Sequence, residues 1–278
     1  MKNILIVSLI AITFLSCEEP YQLDEELNDG QKMVIEALLT DREEMQFVKV
    51  SQTSPFYSSG NSPRIPNATV TVSDNLGNAF SYTHNPGGSD DSIGVYLPPA
   101  GFVGVIGRTY KLQVEYDDVV YEAEDQLLPV TPVDSLTIEL DEEEQEDPED
   151  AGRFYEVLIF AEEPQDEENF YLFKFYRNDS LSFANDSDIY YSDDKLLAEQ
   201  IDGIPMPVYF GVSDKAKVEA YSLSRAGYVF YNDLWSLLNN DSGGMFGPIP
   251  ATPRTNLSNK ALGFFQVSAV SMADIIVE

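Results

Sequence analysis

Ala68-Thr69-Val70-Thr71-Val72-Ser73, then Asp74-Asn75-Leu76-Gly77-Asn78, then Ala79-Phe80-Ser81-Tyr82-Thr83 read in succession as strand, turn and strand. Side chains alternate across a strand, so Ala68, Val70 and Val72 share one face. The Asp/Asn/Gly turn offers the positive-φ positions that a tight return needs. An antiparallel hairpin is therefore expected here, and the neighbouring segments repeat its pattern.

Upstream, Lys32 to Leu39 and Gln46 to Ser51 read as strands around a turn at residues 40–44, and residues 54–66, rich in Ser, Pro, Gly and Asn, read as a loop. Downstream, Gly94 to Leu97, Thr109 to Tyr116 and Val119 to Glu124 follow, the last two joined by an Asp117-Asp118 turn. Short strands at this spacing with no helix signal predict an antiparallel β-sandwich, immunoglobulin-like or transthyretin-like, over residues 31–130. Gly94-Val95-Tyr96 and Gly107 to Leu112 resemble strands of carboxypeptidase-regulatory-like domains.

Pro129 and Pro132 punctuate the chain, and a second β-rich domain is expected over residues 131–278. Its strands are read at Val133 to Leu140, Phe154 to Ala161 and Phe170 to Arg177, with an apolar closing strand from Ala261 to Val270 buried in that same domain. Residues 141–150, with eight acids, read as a mobile and dispensable loop. One helix is expected from about Arg225 to Asn239. Ser224 is placed to cap it, and Tyr228, Tyr231, Leu234, Trp235 and Leu238 recur at helical spacing as a core-facing stripe.

A hydrophobic fraction of 43% is enough for real cores, so disorder of the whole chain is not expected despite a formal charge of −32. Sixteen basic against forty-eight acidic side chains exclude nucleic acid as a partner, because the field repels a phosphate backbone.

The amino terminus has a basic start, an apolar run from Ile4 to Leu15, and Ser16 before Cys17. The run is too short for a membrane span and has the shape of a secretory signal, residues 1–16. Phe14-Leu15-Ser16-Cys17 resembles a bacterial lipobox, which implies that Cys17 becomes the lipidated first residue of the mature chain. Cys17 is the single cysteine, so neither an internal disulfide nor a cysteine metal cluster can form. Residues 17–30 read as an acidic tether. Glu18-Glu19 resembles the acidic export signal that takes Bacteroidetes lipoproteins to the cell surface.

Candidate chemistry is sparse. His84 is the only histidine and no serine sits in a nucleophile elbow. Asp186, Asp188, Asp193 and Asp194 are weak calcium candidates, because their spacing lacks the EF-hand pattern. No cofactor is implied. Asp91-Ser92-Ile93, Asp134-Ser135-Leu136 and Asp179-Ser180-Leu181 resemble a short O-glycosylation signal of exported Bacteroidetes proteins. In the Gly/Pro-rich segment 243–258, Met245, Phe246 and Ile249 have two readings: they cover the second domain's core, or they form an exposed docking patch for a partner.

Taken together, Cys17-Glu18, Met33 to Ala37, Pro66 to Val72, Tyr110-Lys111-Leu112, Val133 to Leu136, Phe246 to Pro250, Thr255-Asn256-Leu257 and Ala261 to Phe265 resemble a Bacteroidetes lipoprotein family, domain of unknown function 4249. The resemblance implies an outer-membrane lipoprotein, held by lipid on Cys17, of a family often encoded beside a TonB-dependent β-barrel transporter, and Glu18-Glu19 adds the expectation that it faces the cell exterior. The expected role is that of a non-enzymatic binding or accessory partner of such a transporter. A structural or adhesive surface module is the alternative, and a carboxylate-dependent hydrolase the third reading.

Overall fold

The structure is a computed structural model that describes residues 31–54, 62–84, 88, 90–148, 150–162, 168–185, 187–193, 200–239 and 251–278. The fold is mainly β, as the alternation of apolar and polar residues predicts. The expected hairpin is present: β3 (Thr69–Asp74) and β4 (Ala79–His84) pair antiparallel, Val70 opposite Tyr82 and Val72 opposite Phe80. Asp74 shapes the turn, its Oδ1 accepting from the N–H groups of Leu76 and Asn78 at 3.0 and 2.9 Å. Gly77 holds the positive φ of 88° that this turn demands.

Around the hairpin run β1 (Met33–Thr40), β2 (Phe47–Gln52), β5 (Val95–Leu97), β6 (Thr109–Tyr116) and β7 (Val119–Gln126). With β15 (Leu262–Ser268) they make one eight-stranded sheet in the order β15-β1-β2-β5-β4-β3-β6-β7. Its two ends meet. The N–H of Val267 donates to Asp125 Oδ2 at 3.1 Å, and Leu128 forms a bridge with Ser268. The sheet thus curls round a core that includes Ile35, Leu39, Val50, Val72, Tyr96, Leu112, Leu127 and Phe265.

Two further sheets follow β8 (Ser135–Leu140), β9 (Tyr155–Glu162), β10 (Phe170–Arg177), β11 (Ser180–Ser182), β12 (Tyr190–Asp193), β13 (Gln200–Pro205), β14 (Lys215–Leu223) and β16 (Val270–Ile276). One has the order β11-β10-β14-β16 with β12 also beside β10, and the other the order β13-β9-β8. They enclose a second core of Val157, Ile159, Phe175, Phe210, Ala216 and Val218. The opposite face of β10 and β14 packs Phe170, Leu172, Tyr221 and Leu223 against Leu38, with Phe47 at its margin. Residues 32–278 accordingly form one compact unit.

Several expectations are corrected. The closing strand does not stay in the second domain: it breaks at Ala269 into β15, parallel to β1 in the first sheet, and β16, an edge of the five-stranded sheet. A boundary at residue 130 is therefore not a clean cut in space. Strand β14, central between β10 and β16, is absent from the sequence reading because Lys217 and Glu219 interrupt its apolar pattern. The acidic run contains the one-turn helix α1 (Glu142–Glu146), capped by Asp141, which accepts the N–H of Glu144 at 3.0 Å. Glu144 is buried and Tyr209 donates to Asp141 at 3.2 Å, so part of the run is tied down.

Helix α2 (Arg225–Leu238) forms as expected, with Ser224 Oγ accepting from Gly227 N–H at 3.1 Å. Its stripe is only half used. Tyr228 and Tyr231 pack on the third cluster, whereas Trp235 and Leu238 are 42% and 50% exposed.

Candidate functional site

Buried and half-buried ionisable groups in this chain hold strands together. His84 lies at the end of β4, where its Nε2 accepts from Gly94 N–H at 2.9 Å. Glu219, 3% exposed, accepts from Tyr176 at 2.8 Å, Tyr221 at 2.7 Å and Lys217 Nζ at 2.9 Å. Burial alone would push its carboxyl up, but the bonds from Lys217, Tyr221 and Tyr176 outweigh that and hold it below the usual range. Opposite Glu219 on β10 stands Lys174, whose ammonium lies 4.7 Å from the centre of the Tyr221 ring. Loss of solvent lowers the affinity of Lys174 for its proton, against the opposing pull of Glu219 and Glu36.

Asp125 is the second such strut. Burial pushes its carboxyl up to about 6, opposed by hydrogen bonds from Ser224, Val267 and Gln126. The cap residue of α2, the strand β15 and the strand β7 are thus joined at one carboxylate.

An opening lies on the outer face of β1 and β2. It is a cleft of about 390 Å³ lined by Val34, Glu36, Lys49, Ser51, Ser62 and Arg64. Glu36 and Lys49 are cross-strand neighbours and form an ion pair at 3.1 Å. Arg64 is held by backbone: Ile65 N–H donates to Val50 O at 3.0 Å and Gln52 N–H to Pro63 O at 2.9 Å. Gly94 is needed behind it, because a methyl group there would come within 2.7 Å of Val50 O and 3.2 Å of Arg64 Cβ. A smaller opening of about 210 Å³ is lined by Asp134, Glu162 and Asp202 with Phe160, Ala161 and Ile201.

Matched to this fold, the family comparison is decisive. The chain belongs to the family described as domain of unknown function DUF4249. The DUF4249 match covers residues 18–274, so it takes in all three sheets, the cleft and α2. No curated protein matches the chain.

The residues singled out from sequence fare unevenly. Cys17, Glu18 and Glu19 lie outside the described residues, as do Met245, Phe246 and Ile249 and two calcium candidates, Asp186 and Asp194. Of the other two, Asp188 accepts from Asn185 N–H at 2.8 Å and from Tyr190 at 3.1 Å, and Asp193 ends β12 opposite Phe170. Among the described residues no group of three His, Cys, Asp or Glu is arranged to hold a metal ion. Ser135 and Ser180 of the glycosylation-like tripeptides are exposed, and Ser92 is half-buried. No described helix is long and apolar enough to cross a membrane.

Lys49 and Arg64 were not singled out by sequence reading. The available signal was Pro63-Arg64-Ile65-Pro66, in which two prolines stiffen an arginine inside a loop of small residues.

Proposed function

We propose that this DUF4249 chain is a lipid-anchored outer-membrane protein, exposed on the cell surface, that binds a ligand or partner as an accessory of a TonB-dependent β-barrel transporter. The observation that carries the binding part is the open cleft on β1 and β2, lined by Glu36, Lys49 and Ser51 of the paired strands together with Ser62 and Arg64, an arrangement suited to recognition. The way ionisable groups outside the cleft are used agrees with this reading: His84, Asp125 and Glu219 are engaged in joining backbone segments and neighbouring side chains. The anchor rests on the lipobox-like Phe14-Leu15-Ser16-Cys17, and durable attachment needs the two or more acyl chains that such a cysteine carries. The transporter partner rests on family resemblance alone.

The experiment is recovery of the tagged native protein from detergent-solubilised membranes, beside Cys17→Ala. Wild type is expected to take up labelled lipid and to bring down one large barrel protein, while the variant stays soluble or uncleaved. Wild-type protein without lipid label would refute the anchor, and lipidated protein recovered alone would refute the transporter role in favour of the adhesive reading.

A further inference from the structure

Arg64 stands apart from every other arginine of the chain. The sequence has seven, all within the described residues. Six lie within 4 Å of a carboxylate: Arg42 beside Asp41, Arg108 beside Asp74, Arg153 and Arg177 beside Asp150, Arg225 beside Glu168 and Arg254 beside Asp233. Arg64 has no such partner among the described residues. Acids outnumber bases threefold here, so a guanidinium is ordinarily surrounded by carboxylates.

The cleft explains what keeps it separate. Its backbone is pinned by the two hydrogen bonds to β2 and by the packing of Gly94, and Ile65 beside it is buried in the first core. Arg64 is exposed and lines the cleft with Lys49, and Lys49 is already neutralised by Glu36. One positive charge among the described lining groups is left uncompensated. The planar fork of a guanidinium matches a carboxylate through two parallel hydrogen bonds. A single excess charge in a molecule of −32 favours a monoanion, since a dianion is repelled twice as strongly by the surrounding field.

We infer that the cleft lined by Lys49 and Arg64 binds the carboxylate of a small monoanionic organic ligand. Its volume of about 390 Å³ exceeds what a bare carboxylate occupies and leaves room for a body of sugar or amino-acid size. Ser51, Ser62 and Glu36 also line the cleft, so hydroxyl or amide groups are what the ligand presents to them. This deepens the binding reading above and names the ligand class, but it needs neither the lipid anchor nor the transporter.

The test titrates the purified mature chain, without any partner, by calorimetry and ligand-observed NMR. Glucuronate and N-acetylglycine are the monocarboxylate probes, glucose and N-acetylglycinamide their uncharged counterparts, and inorganic phosphate the competing anion. At least one carboxylate is expected to bind, and its uncharged counterpart about tenfold more weakly or worse. Arg64→Gln should weaken the carboxylate about tenfold with an unchanged melting curve. Arg225→Gln, which removes an exposed arginine on α2 away from the cleft, should leave binding intact. Lys49→Gln provides a second variant should Arg64→Gln fail to fold, and it should also weaken binding. No binding by either carboxylate, equal binding of the uncharged counterpart, undiminished binding by folded Arg64→Gln, or tighter binding of phosphate would each overturn the proposal. Failure of the membrane pull-down would leave it standing.

Discussion

The parallel pairing of β15 with β1 joins the two ends of the chain, and Gly263 is where it is most exposed to test. Gly263 has φ of 98° and lies opposite Ile35 in the ladder. A methyl group there would overlap the carbonyl oxygen of Ile35 and approach its carbonyl carbon to 2.9 Å. Both atoms are backbone, so no side chain can swing away. The positive φ alone costs an L-residue about 1–2 kcal/mol. Separating the strands just before buried Phe264 and Phe265 adds a steric term, bringing Gly263→Ala to about 4 kcal/mol. For a unit of this size that lowers the melting temperature by about 8–16 °C. Gly77→Ala is the control, with φ of 88° but nothing within 4 Å of the added methyl. It should carry the strain alone, about 2–8 °C. Thermal and urea unfolding followed by circular dichroism measure both. If Gly263→Ala falls no further than Gly77→Ala, the close approach of β15 to β1 is wrong, and the single compact unit with it.

Asp125 predicts a pH dependence. Its folded carboxyl, raised from 3.8 to about 6, binds its proton more tightly than in the unfolded chain. Its contribution, on the order of 3 kcal/mol, is therefore fully present below about pH 4 and lost as pH rises through about 6. Asp125→Asn should flatten the stability profile between pH 4 and 7 in chemical denaturation, and an unchanged slope would contradict the assignment. Glu219→Gln removes the buried negative charge beside Lys217 and Lys174 while keeping the volume, and should cost about 3 kcal/mol in urea unfolding; a loss below about 1 kcal/mol would mean that water reaches this cluster.

Local chemistry is what the sequence expressed clearly. The hairpin from Thr69 to His84, the alternating strands β1, β2 and β6, and the Ser224 cap of α2 each depend on residues within a few positions of one another. Strand β14 was illegible because its charged positions are satisfied inside the folded sheet, where Glu219 meets Tyr176 of β10 and Lys217 and Tyr221 of its own strand. The acidic run 141–150 misled for a related reason: repulsion among eight acids argues for a loop, but the Asp141 cap and the bond from Tyr209 are supplied by the folded context.

By itself the sequence determined a mainly β chain, its hairpins, one capped helix and a strongly acidic composition. Only the tertiary structure decided that the last residues supply a strand to the first sheet, that Asp125 ties β7 to β15 and α2, and that Arg64 alone among the arginines lacks a carboxylate among the described residues. The physical reason is range. Alternation, turn chemistry and capping act over a few residues, whereas buried apolar side chains such as Phe264, Phe265 and Val267 are satisfied beside any neighbouring strand, and the charge balance around one side chain is fixed by residues that meet only after the chain has closed on itself.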